Sequence, residues 1–325
     1  MTAPADLLPD KTPVISAPAW IAVDWGTSQL RLWVMDARNK VIDRITSDRG
    51  MSRLGAQDYE PTLLGLLDGH LSSGDSSDAD PIPVICCGMA GSRQGWAEAP
   101  YAAAPCPPPG ISDATMPRTQ DPRLEVYLLP GIKTADPADV MRGEETQIAG
   151  FLAQMNGLGE PQIICLPGTH SKWARLDRGQ VTTFTTFMTG EMFTLLQGQS
   201  VLRHCVSGDG WDDAAFKQAV AETFAAPSGI SAQLFRLRAD ALLSGQSPET
   251  ARARLSGLLI GAELAAAQTY WSGKPVAVLG TDALARCYET ALSTLGCVPQ
   301  RVDGETLTLA GLSAAYDQLQ KSRTP

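Results

Sequence analysis

An acid at the end of a buried-type strand is the feature that most restricts what this chain can become. Residues 20–36 read WIAVDWGTSQLRLWVMD. The apolar run Ile21-Ala22-Val23 ends at Asp24, and a small polar turn, Gly26-Thr27-Ser28, follows. A second run then sets Leu30, Leu32 and Val34 against Arg31, Trp33 and Met35. Two β-type runs around a Gly-containing turn predict a hairpin, with residues 40–45 as a third strand. Carboxylates are rarely buried without a partner, so Asp24 is expected to face a ligand. Gly26 permits close backbone approach, and Thr27 and Ser28 offer N–H and hydroxyl donors to phosphate oxygens. Asp24 can hold a hydrated Mg²⁺ beside that phosphate. A surface hairpin with a polar turn is the competing reading, and one copy does not decide between them.

A second copy shifts the balance. Residues 162–187, QIICLPGTHSKWARLDRGQVTTFTTF, repeat the pattern. Ile163-Ile164-Cys165-Leu166 is the apolar run, Gly168-Thr169-His170-Ser171 the turn, residues 172–177 the return strand, and residues 180–187 a third. Gly168 stands 168 − 26 = 142 positions after Gly26. Internal duplication of this kind predicts two lobes that grip one nucleotide's phosphates from both sides. Lys172 is then a cation for the phosphates or an ordinary strand-edge lysine. His170 donates to a phosphate or caps its turn.

Three further stretches suggest chemistry. Residues 84–87 read as a buried strand entering the loop Gly88-Met89-Ala90-Gly91-Ser92-Arg93, and an apolar strand entering a Gly-rich loop is a common ligand position in α/β sheets. Ser92 and Arg93 there hold an anion, or Arg93 is an exposed arginine on a tight turn. In MRGEETQI, Glu144 opens a helix with Gly143 ahead of it and acids in the first turn; the two glutamates either serve the helix dipole or act in catalysis. Residues 275–279 are a strand that runs through Gly280-Thr281-Asp282 into a helix over 284–295. Elsewhere the apolar spacing predicts helices over 59–71, 212–224, 232–243, 248–271 and 305–320, and strands over 124–129 and 298–302. Residues 100–122 are too rich in proline for a regular helix or central strand and read as a substrate-side insertion or lid.

Charge and composition exclude several classes. With 35 acidic against 26 basic residues the net charge is −9, and no basic stripe suits nucleic acid. Seven cysteines without regular spacing read as free thiols of a cytoplasmic protein. Three histidines without metal-ligand spacing argue against structural zinc. Residues 1–19 have no basic region followed by an apolar core, so they read as a loose tail and not as a signal peptide. No apolar run is long enough to span a bilayer. GxxxxGK[ST] and GxGxxG are both missing. The residues do not fix an oligomeric state; a homodimer is compatible with them.

The segments AVDWGTSQLRLW, CCGMAGSRQGWAEAPY, MRGEETQIAG and LPGTHSKWARLDRGQVTTFTTFMTGEMF together resemble the 2-dehydro-3-deoxygalactonokinase family. That family lies within the actin/hexokinase/Hsp70 superfamily. The resemblance runs from Trp20 to about Tyr316. It implies an α/β, two-lobed actin-like ATPase fold of ribonuclease H-like type, with duplicated βββαβαβα lobes and a cleft between them. The first lobe would be residues 20–143 and the second 144–325. It implies ATP and Mg²⁺ as cofactors and a sugar acid phosphorylated on its terminal hydroxyl. Gly26–Ser28 and Gly168–His170 would be the two phosphate turns. Gly280, Thr281 and Asp282 would be the adenosine motif, with the usual paired glycines reduced to one. Arg93, with Gly91 and Ser92, would take the substrate carboxylate. In these kinases the catalytic acid opens a helix roughly 20 residues before the second turn. Glu145 occupies that place, 168 − 145 = 23 positions ahead, with Glu144 its rival, where hexokinase-like kinases usually have Asp. Another sugar kinase, a nucleotide-switch ATPase of the actin or Hsp70 kind, and a phosphatase of the exopolyphosphatase type are the alternatives.

Overall fold

The computed structural model describes residues 18–71, 80–154, 162–280 and 282–324, with Asp282 described in its backbone alone. Strands β1 (Trp20–Trp25), β2 (Leu30–Met35) and β3 (Val41–Ser47) form the predicted antiparallel meander. Helix α1 (Tyr59–Leu66) follows. It is shorter than the apolar spacing predicts because the chain turns at Gly69, whose φ of +85° no regular helix accommodates. Strand β4 (Ile82–Gly88) then pairs parallel with β1.

Strand β5 (Tyr101–Ala103) is a short edge strand inside the proline-rich stretch. Strand β6 (Leu124–Leu128) closes the first sheet in the order β3-β2-β1-β4-β6. Strands β7 (Gly131–Ala135) and β8 (Ala138–Met141) form a hairpin that the sequence pattern does not announce, and with β5 they make a small third sheet. Residues 104–122 are no free lid. Cys106 exchanges backbone hydrogen bonds with Val181, Thr115 with Leu128, and the Glu60 carboxylate accepts from the amides of Gln120 and Asp121.

Helix α2 (Glu144–Gln154) leads to the second meander, β9 (Gln162–Leu166), β10 (Ser171–Asp177) and β11 (Gln180–Phe187). Helices α3 (Thr189–Gln199), α4 (Asp213–Ala225), α5 (Ile230–Leu243), α6 (Pro248–Ala266) and α7 (Gln268–Trp271) come next. The single helix expected over 248–271 is thus two. Strand β12 (Val276–Gly280), helix α8 (Asp282–Thr294), strand β13 (Gln300–Asp303) and helix α9 (Gly304–Arg323) complete the chain. The second sheet runs β11-β10-β9-β12-β13, with β9, β12 and β13 parallel.

The two sheets therefore have one topology: an antiparallel three-strand meander whose first strand continues into two parallel strands. This is the duplicated ribonuclease H-like arrangement of the actin-like ATPase fold. Burial explains the unbroken apolar runs at its centre. In β1, Ile21, Val23 and Trp25 pack toward α1, while Trp20 and Ala22 pack toward α9. In β9, Ile163 and Cys165 face α4, α6 and α8, while Ile164 and Leu166 face α2. A strand covered on both faces has no polar side to alternate. The indole of Trp20 stacks on Tyr316 of α9 with centroids 4.5 Å apart, a contact worth about 0.5–1.5 kcal/mol beyond its burial. So α2 and α9 form a central layer between the two sheets. All seven cysteines are free.

Candidate active site

The first turn is built tightly. The Gly26 amide donates to Gln29 O at 2.8 Å, closing the hairpin. Behind it, Met51 N donates to Gly26 O and Ser52 N to Thr27 O. Gly50 sits so close that a Cβ would meet Gln29 N at 2.6 Å. This buttress from residues 50–52 carries no recognisable sequence signal. Thr27 and Ser28 remain exposed, and among the described residues their N–H groups have no hydrogen-bond partner. Thr169 and His170 in the second turn are alike in both respects. That turn rests on the start of α3: Glu191 N donates to Thr169 O at 2.9 Å, and a Cβ at Gly190 would meet Thr169 Cα at 2.9 Å. Two exposed turns with unused amides are what an anion cradle requires.

Asp24 lies at the base of the first turn. Its Oδ2 pairs with Arg31 across the hairpin. Its Oδ1 lies 3.8 Å from the Cys87 thiol. Burial raises the Asp24 carboxyl above its usual range, against the pull of Arg31, and Glu144 adds to the rise. Two glycines bring backbone close to it. Gly88, at φ +86°, would place a Cβ 2.6 Å from Trp25 O and 3.4 Å from Asp24 Oδ1. Gly143, at φ +104°, would place one 3.4 Å from Gly88 Cα. The end of β4 and the start of α2 thus meet at the carboxylate.

The two glutamates of α2 part company. Glu144 reaches the second meander and pairs with Lys172 Nζ at 2.5 Å. Lys172 also donates to His170 O at 2.9 Å, so its ammonium is pinned beneath the second turn. Glu145 is 1% exposed and folds back, both carboxylate oxygens accepting from Gly143 N–H at 2.8 Å. Burial first, and the neighbouring Glu144 second, push its carboxyl up to about 8. The structure thus pairs Glu144 with Lys172 and sets the start of α2 against Gly88, beside Asp24, with Glu145 folded back on its own backbone. His170 pairs with Glu191 at 2.5 Å.

The loop after β4 behaves differently from its reading. Gly91 and Ser92 are buried, and the Ser92 hydroxyl faces Met51 Sδ at 3.3 Å. Arg93 points outward, with 78% of its side chain exposed and Glu98 as its partner at 3.4 Å. A second arginine, absent from the sequence reading, is buried behind this loop. Arg142 lies over the Tyr101 ring at 4.2 Å and donates to Ala99 O at 2.7 Å. Its Nη1 has no partner among the described residues, and a Cβ at Gly91 would stand 2.9 Å from it.

Beyond the second turn a cavity of about 810 Å³ opens between α3, α4, α6 and α8. Gly168, Thr169, Gly190, Trp211, Arg252 and Tyr288 are among its lining residues. Gly280 ends β12 against the second turn, 3.5 Å from Pro167 Cδ by its would-be Cβ. Of the predicted adenosine motif, Thr281 and the Asp282 side chain lie outside the described residues. The α8 residues that follow line the cavity.

Two sheets of one topology, each carrying an exposed turn with unused amides, define the actin-like ATPase class of fold. A family model described as 2-keto-3-deoxy-galactonokinase matches residues 24–315. The chain belongs to that family. It is 40% identical over 306 residues to a Rhizobium meliloti (strain 1021) protein named a probable 2-dehydro-3-deoxygalactonokinase, covering 92% of this chain and 97% of the relative. It is 32% identical over 297 residues to the Escherichia coli (strain K12) 2-dehydro-3-deoxygalactonokinase, covering 90% and 96%. A crystal structure from Sinorhizobium meliloti assigned to the same kinase superposes with a TM-score of 0.82 at 39% identity, covering 92% of this chain and 99% of that one.

The residues fit a magnesium nucleotide. Among the described residues no three His, Cys, Asp or Glu side chains are grouped to hold a metal unaided. Mg²⁺ commonly takes one or two carboxylates, phosphate oxygens and water, and Asp24 Oδ1, outside the Arg31 pair, is such a donor. Among the described residues no helix is long and apolar enough to cross a membrane.

Proposed function

We propose that the chain transfers the γ-phosphoryl group of ATP to the 6-hydroxyl of 2-dehydro-3-deoxy-D-galactonate, giving the 6-phosphate and ADP. One observation carries this reading. The Glu144–Lys172 contact, with the start of α2 packed against Gly88 beside Asp24, brings the acid of the first turn and the lysine of the second to one helix start. Membership of the kinase family over most of the chain supplies the substrate class.

Phosphoryl transfer needs positioning and charge neutralisation more than covalent chemistry. The amides of Thr27, Ser28, Thr169 and His170 hold the phosphates, and Lys172 exchanges Glu144 for phosphate oxygen. Asp24 is the residue that holds hydrated Mg²⁺, which supplies charge neutralisation when bound. Glu145, once ionised, accepts the proton of the attacking hydroxyl. Arg93 leaves its exposed partner Glu98 for the substrate carboxylate, which it can meet with two parallel N–H donors. The cavity beyond the second turn takes the nucleoside, with Gly280, Thr281 and Asp282 at its edge. The lobes divide near residue 143, with α9 crossing back onto the first sheet, and they shut the cleft against water. A cytoplasmic site of action suits free thiols. Phosphorus NMR of the product tests the reaction. One 6-phosphomonoester per ADP is expected, and ADP without a sugar phosphate would contradict it.

A further inference from the structure

A buried carboxylate on α6 has no part in the chemistry above. Glu263 is 3% exposed in the otherwise apolar stretch LLIGAELAAA. No cation faces it. Its Oε1 accepts from Trp173 Nε1 at 2.8 Å. Its Oε2 accepts from Ser171 Oγ at 2.7 Å, from Tyr288 OH at 2.7 Å and from the Thr189 hydroxyl. Burying an anion costs several kcal/mol unless its lone pairs are filled. Here four neutral donors fill them.

The location of those donors gives the cluster its meaning. Ser171 directly follows the second phosphate turn and precedes Lys172. Thr189 is the first residue of α3 and lines the cavity with Gly190, against which the turn rests. Tyr288 belongs to α8 and lines the opposite wall. Trp173 carries the same strand back into the core of the second lobe. One carboxylate thus ties the phosphate turn, the α3 start and the α8 wall to α6. A displacement of any of them changes the spacing between phosphate cradle and nucleoside cavity.

We propose that Glu263 is a positioning residue that sets the distance between the second phosphate turn and the nucleoside cavity, and so governs nucleotide affinity. This rests on the nucleotide reading of that cavity. Glutamine cannot replace it. With its amide nitrogen toward Trp173, two donors face each other. With its amide oxygen there, the Thr189 and Tyr288 hydroxyl hydrogens lose their acceptor, and Ser171 keeps only Phe187 O at 3.5 Å. Either arrangement strands a buried polar group.

The test is calorimetric titration with Mg·ADP, alongside steady-state kinetics. Glu263→Gln is expected to weaken Mg·ADP binding by about tenfold or more. KM for the sugar acid should stay within about twofold of the parent. Tyr288→Phe and Thr189→Val each remove a single donor, and they serve if Glu263→Gln does not fold. Each should weaken Mg·ADP binding by several fold, and Thr189→Ser should restore it. A lower melting temperature with Mg·ADP affinity intact would overturn the proposal and leave Glu263 a stability residue. Equal losses for nucleotide and sugar acid would overturn it too. A parent protein that fails to bind Mg·ADP would overturn the nucleotide reading itself, and this proposal with it.

Discussion

Gly150 of α2 and Gly311 of α9 occupy reciprocal seats. A Cβ at Gly150 would collide with the backbone oxygen of Leu307, and one at Gly311 with that of Thr146. Leu307 precedes Gly311 by four residues, and Thr146 precedes Gly150 by four, so each helix offers the same turn to the other. The offset recurs seven residues, two turns, earlier. Gly304 abuts Gly280 at the end of β12, as Gly143 abuts Gly88 at the end of β4; 311 − 150 and 304 − 143 both equal 161. The duplication legible in the two phosphate turns thus extends to the central helices at the base of the cleft.

Gly150→Ala and Gly311→Ala therefore force the central helices apart. Overpacking of this kind costs about 1–3 kcal/mol and occasionally more. Each variant should melt at a lower temperature, which scanning calorimetry reads. Gly198→Ala, at a helical glycine with open space around it, should not lower it.

Asp24→Asn removes the acid at the junction of the lobes while keeping its shape. Turnover should fall on the order of 10²–10³-fold, the scale of losing one preorganised electrostatic group. Circular dichroism should show the fold retained. A near-normal rate would remove Asp24 from the nucleotide site.

Glu145→Gln should reduce kcat far more than Glu144→Gln, and the reverse order would make Glu144 the proton acceptor. The pH dependence follows from the raised carboxyl. The ionised form acts, so kcat/KM should climb as pH rises through about 8. Stability runs the other way. The folded state binds a proton between the unfolded value, near 4.5, and about 8, so folding is favoured below that window and weakens as pH rises through it. Glu145→Gln should flatten both trends.

Arg93→Ala should raise KM for the sugar acid and leave kcat and the ATP KM close to the parent. The exposed side chain supports no packing, so melting should be unchanged. An unaltered KM would place the carboxylate elsewhere.

Much of this architecture is written in local pattern. Both meanders, the Glu144 helix start and the strand before Gly280 follow from apolar runs broken by glycine, because burial and turn geometry act over a few neighbouring residues. The β7–β8 hairpin escaped because Lys133, Thr134, Asp139 and Val140 give it no apolar alternation. The Gly50 buttress and the bond between Cys106 and Val181 escaped because they join segments far apart in sequence. Glu263 had one visible sign, a lone acid inside an alanine-rich helix, but its four donors come from three other elements. The spacing that marked Glu144 and Glu145 could not separate them. Only the position of Lys172 on β10, against Glu144 and away from Glu145, does so.

The most direct test of the account is ADP release from ATP and Mg²⁺ with a panel of acceptors. The panel contains 2-dehydro-3-deoxygalactonate, its gluconate epimer, galactonate, glucose and no acceptor. Turnover confined to 2-dehydro-3-deoxygalactonate is the predicted result. Equal ADP release with no acceptor present would contradict it and make the protein a nucleotide-switch ATPase.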